Sequence, residues 1–109
     1  MEVLTMKVIN LAVETYGESQ LDIVIEEMAE LIKEIVKYKR VDKKDDFKVD
    51  TVIHNLTSEI ADVEIMLEQL KILLNIKQSK VQEVKEFKLK RLEQRIHQEK
   101  YIWSKCQPG

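Results

Sequence analysis

From residue 18 to residue 107 the chain contains no glycine and no proline. Strand-rich folds reverse direction often and draw on both residue types for their turns, so this scarcity constrains the chain toward long helices. The apolar residues agree, because they recur every three or four positions. A first helix is expected over residues 2–15, carried by Val3, Met6, Ile9, Leu11 and Val13 and stopped by Gly17. A second starts at Ser19, an N-cap with Asp22 in the first turn, and carries the stripe Leu21, Val24, Met28, Leu31 and Ile35. The charged segment RVDKKDDFKVD (40–50) reads as a surface loop. Asp50 then caps a third helix that runs to Leu74 through Val52, Leu56, Val63, Met66, Leu70 and Leu73, with Asn75 ending it. Ser79 and Gln82 form an S-x-x-Q capping box for a fourth helix that reaches Trp103. Residues 103–109 are expected to fray. The expectation is one all-α domain over 1–109, an antiparallel four-helix bundle.

Composition narrows the function classes. A net charge of −2 points neither to a nucleic-acid binder nor to an acidic tail. Cys106 is the single cysteine, which excludes an intrachain disulfide and suits a reducing compartment. Residues 1–20 show no cationic segment followed by an apolar run, and no apolar run is long enough to span a bilayer. The expected setting is therefore cytoplasmic, with no membrane partner. Phe87, Tyr101 and Ile102 project away from the main stripe of the fourth helix, a surplus of apolar surface that predicts self-association.

The acidic residues are more informative. The segment EEMAE (26–30) gathers three glutamates into little more than a turn, where like charges repel. On a helical wheel Glu27 and Glu30 fall on one flank of the apolar stripe, roughly 60° apart, together with Gln20 and Glu34, whereas Glu26 projects to the opposite side. In the third helix Glu59 falls near the middle of the apolar stripe and Asp62 roughly 60° to one side, while Glu64 and Glu68 project away. A carboxylate on a core face is costly to desolvate without a neutralising partner. A hard divalent cation is one such partner. Lys88, Arg91 and Arg95, on one side of the fourth helix, are the other, either as salt-bridge partners or as phosphate ligands beside a metal. A di-iron bundle is excluded because no E-x-x-H is present. The acidic loop lacks the glycine and closing glutamate of an EF-hand.

Glu26-Glu27-Met28-Ala29-Glu30 fits EExxE and Glu59-Ile60-Ala61-Asp62 fits ExxD, separated by the 28 residues from Leu31 to Ser58. This pair, with Gln20, the run EIADVEIMLEQL and the K-x-x-R at Lys88 and Arg91, resembles the MazG-like branch of the all-α NTP pyrophosphohydrolase superfamily over roughly residues 15–96. The resemblance implies that fold and Mg²⁺-dependent cleavage of nucleoside triphosphates to monophosphate and pyrophosphate, with Mn²⁺ as an alternative ion. It implies Glu26, Glu27, Glu30, Glu59 and Asp62 as the catalytic acids, with Glu27, Glu30, Glu59 and Asp62 as metal ligands and Glu26 in a supporting place. It implies phosphate binding by Lys88, Arg91 and Arg95, contact of Gln20 with base or sugar, and a homodimer or homotetramer. Which carboxylate acts as base is left open. The competing expectation is a non-enzymatic helical interaction module with a structural salt-bridge cluster.

Overall fold

The structure, a computed structural model, describes residues 2–106. Four α-helices follow one another: α1 (Glu2–Tyr16), α2 (Gln20–Arg40), α3 (Asp46–Leu73) and α4 (Gln78–Cys106), with a 3-10 turn at Gly17–Ser19 between the first two. No strand occurs among the described residues, and the fold class is all-α. No helix among them is long and apolar enough to cross a membrane. Contacts divide the chain into two units, one ending at Ile76 and containing α1 to α3, the other beginning at Lys77 and containing α4.

Gly17 ends α1 in the left-handed region (φ 58°), which a residue without Cβ adopts at little cost. Ser19 does not cap α2. Its own backbone is helical, and its hydroxyl donates back to the Tyr16 carbonyl at 2.6 Å, so the 3-10 turn leads directly into the helix. The expected loop over 40–50 is shorter than the sequence suggested, because α3 begins at Asp46. Asp45 is its N-cap, and its carboxylate accepts from the Lys48 N–H at 3.1 Å. Asp50 therefore lies inside the helix rather than at its start. At the other end Asn75 takes φ 54°, and the Ile76 N–H reaches the Lys71 carbonyl at 2.8 Å while Asn75 N–H reaches that of Ile72 at 3.2 Å. This paired bonding is a Schellman motif, with asparagine in the place glycine usually takes. Helix α4 starts one residue before Ser79: the Lys77 carbonyl accepts from Lys80 and Val81, which puts Ser79 within the first turn. The helix continues through residues 103–106, which were expected to fray, and 107–109 lie outside the described residues.

The five-residue connection 41–45 folds α3 back along α2, and this antiparallel pair is the more extensive packing of the unit, with α1 laid against α3. Its buried apolar residues are few: Ile9 from α1, Val24 from α2, Val63 and Met66 from α3. Two polar side chains are buried with them, Glu34 and Gln69. The expected stripe of α2 is therefore rotated. Val24 and Leu31 turn inward, whereas Met28 and Ile35 stay largely outside, and the flank carrying Glu27 and Glu34 takes the inner position. In the second unit α4 buries no residue, and its ion pairs lie along its own surface, Lys80–Glu83 and His97–Glu93.

Replacing Asp45 with alanine removes the side-chain acceptor at the start of α3 and should cost about 1 kcal/mol. Urea denaturation of the full chain reads this directly, and an unchanged midpoint would show that the cap is not made.

Candidate metal centre

Glu27 sits two turns into α2, and its side chain is directed at α3 by the inward rotation of that flank. Glu59 and Asp62, three residues apart, occupy one face of α3. One carboxylate oxygen from each of Glu27, Glu59 and Asp62 lies within 4.8 Å of the others, and all three residues are half-buried. Residues from both acidic motifs thus converge across the α2–α3 interface. Glu30, one turn beyond Glu27, stands outside this group and is exposed, as is Glu26. The expectation that Glu30 joins the same set of ligand atoms is not met, because the inner line of α2 passes through Glu27 and Glu34 and leaves Glu30 on the outer side of it.

Three carboxylates at this separation repel one another. Burial, a side-chain hydrogen bond with Glu59 and the negative charges of Asp62 and Glu59 push Glu27 from its ordinary 4.5 up to about 7. Glu59 Oε2 is buried without a hydrogen-bond partner. The ion pairs Lys37–Glu34 and Lys71–Glu68 each join residues three apart on one helix. The cations that a salt-bridge explanation would draw on, Lys88, Arg91 and Arg95, lie in the second unit. The donor set is all oxygen, anionic and incompletely satisfied, which suits a hard divalent cation of the Mg²⁺ or Mn²⁺ kind.

The flanks of the carboxylates are polar as well. Gln20 Nε2 donates to Gln69 Oε1 at 2.7 Å, and Gln69 Nε2 reaches the Met66 sulfur at 3.5 Å. Gln20 therefore lies on the same side of α2 as Glu27, but its amide is engaged by Gln69, a residue the sequence reading did not single out. Further along α2, Glu34 is 7% exposed; Lys37 Nζ donates to its Oε1 at 3.2 Å, and its Oε2 is buried without a partner. The signal for both was present in the sequence as a seven-residue interval, 20–27–34 on α2 and 62–69 on α3. The cations Lys88, Arg91 and Arg95 belong to the second unit, where each is exposed and Arg91 lies 5.9 Å from the Phe87 ring centroid.

Comparison of the chain with models of protein families, with characterised proteins and with solved structures found no match in any of the three.

The raised proton affinity of Glu27 has a defined sign. A carboxyl that binds its proton more tightly in the folded state stabilises that state fully below pH 4.5, and the contribution is lost as pH rises through about 7. In metal-free protein, Glu27→Gln should therefore raise the melting temperature above wild type at pH 8 and lose that advantage at pH 5. Thermal denaturation in the presence of chelator checks this, and equal melting shifts at both pH values would contradict it.

Proposed function

We propose that the chain is a Mg²⁺-dependent nucleoside triphosphate pyrophosphohydrolase of the MazG-like kind. In this reading it splits a nucleoside or deoxynucleoside triphosphate into the monophosphate and pyrophosphate, in the service of nucleotide-pool house-cleaning. The observation that carries the reading is the meeting of two sequence motifs in space: Glu27 of EExxE stands with Glu59 and Asp62 of ExxD, on paired helices, with ligand atoms within 4.8 Å. Either motif alone is cheap in a glutamate-rich chain, whereas their convergence around an unpartnered buried oxygen is not expected of solvent-facing charge.

In this reading Glu27, Glu59 and Asp62 hold Mg²⁺, or Mn²⁺ in its place, and a ligand role for Glu30 rests on the resemblance alone. A divalent cation bound there supplies charge neutralisation and polarisation of phosphate oxygens. The chain's own part is placement. Helices α2 and α3 hold the acids from opposite sides, and the Gln20–Gln69 amide pair ties the two helices beside them. The phosphate role of Lys88, Arg91 and Arg95, and contact of Gln20 with base or sugar, rest on the resemblance. So do a cytoplasmic setting and a homodimeric or homotetrameric state. The competing reading, a non-catalytic module with a salt-bridged acidic cluster, would draw its cations from Lys88, Arg91 and Arg95 of the second unit, and the assay below separates the two.

A panel of nucleoside and deoxynucleoside triphosphates, assayed for pyrophosphate release with Mg²⁺, tests the proposal. Wild type should release pyrophosphate, and Glu59→Gln should lower the rate by about a hundredfold or more. No release by wild type, or an unaffected variant, would sink it.

A further inference from the structure

Helix α2 has a second apolar face that nothing in its unit covers. Ile25, Met28, Ile32 and Ile35 are 66%, 42%, 62% and 45% exposed, and their 3-4-3 spacing places them in one band along the helix. Ala29 and Val36 widen it. Single exposed apolar residues are ordinary, but a continuous band of them marks an interface.

The charges of α2 specify the occupant. Residues 18–30 carry five acidic side chains and no basic one, while residues 31–40 carry four basic side chains and a single acid, Glu34. Glu34 is already buried against Lys37. Asp22, Glu26, Lys33 and Arg40 lie along one edge of the apolar band, are exposed, and form no ion pair among the described residues. A helix with an acidic first half and a basic second half is complementary to its own antiparallel copy.

We infer that α2 is the self-association surface of this protein, packed antiparallel against α2 of a second copy about a two-fold axis near residue 30. The arrangement is isologous, so each contact occurs twice. Ile25 meets Ile35 of the second copy and Met28 meets its Ile32. Along the edge, Glu26 faces Lys33 of the second copy and Asp22 faces its Arg40. The inference goes beyond the proposed activity and does not depend on it. It also gives Glu26 a task of its own: the motif glutamate that turns away from the carboxylate group selects the orientation of the partner.

Sedimentation analysis of the full chain, with circular dichroism to establish folding, is the test. Wild type should sediment as a dimer or higher assembly at micromolar concentration, and Ile32→Glu should shift it toward the 12.9 kDa monomer. Glu26→Lys and Lys33→Glu should each weaken association by about tenfold, because each sets two symmetry-related like-charge contacts. The double variant Glu26→Lys/Lys33→Glu should recover most of the loss. A monomeric wild type, as when α4 of the same chain covers the band, overturns the inference. So does a double variant no tighter than either single one, or an assembly indifferent to all of these substitutions.

Discussion

The register of α2 against α3 is the constraint on which the rest of the first unit depends. With four apolar side chains buried among the described residues, packing alone specifies that register weakly. The polar side chains specify it more sharply. Gln20, Glu27 and Glu34 recur at seven-residue intervals on α2, and Asp62 and Gln69 do so on α3, which keeps each set on one side of its helix. Gln69, 4% exposed, accepts at Oε1 from Gln20 Nε2 across the helix pair, while its own Nε2 reaches the Met66 sulfur within α3. Sliding one helix by a turn would take the Gln20 donor away from the buried Gln69 oxygen, at a cost of about 1–3 kcal/mol. The same alignment sets Glu27 opposite Glu59 and Asp62. The carboxylates are thus held together by a neighbouring contact that is itself favourable, which offsets their mutual repulsion.

Helix content, helix number and the convergence of two acidic motifs could be read from the residues, because each rests on periodicity or on spacing within one helix. What was misread depends on tertiary choice. The wheel of α2 offers apolar residues over more than half of its circumference, so sequence alone did not decide whether Met28 and Ile35 or Glu27 and Glu34 faced α3. The wheel could put Glu30 on the same flank as Glu27 without revealing that Glu27 is half-buried and Glu30 exposed. The start of α3 was placed late because the run of aspartates and lysines reads as loop by composition, whereas one aspartate, Asp45, is a cap and the next residues are the first turn. Gln69 escaped notice because a glutamine among leucines and glutamates carries no motif.

EEMAE, three glutamates in a short stretch, has three environments. Glu27 faces inward toward two other acids, Glu30 is exposed on the adjoining side, and Glu26 borders an open apolar band. The electrostatic tension of α2 is accordingly directed two ways. Inward, it accumulates around Glu27, whose proton affinity is raised by its neighbours. Outward, it forms a lengthwise gradient from acidic to basic that an antiparallel copy of the same helix can neutralise. Both are consequences of a sequence that spends little of its apolar surface on a private core.

The central claim is that Glu27, Glu59 and Asp62 form a cation site, and Mn²⁺ binding followed by electron paramagnetic resonance measures it without reference to catalysis. The account predicts saturable binding by wild type that weakens as pH falls below about 7, where Glu27 takes up its proton, and that is lost in Asp62→Asn. Absence of saturable binding, or equal binding by wild type and Asp62→Asn, would contradict it.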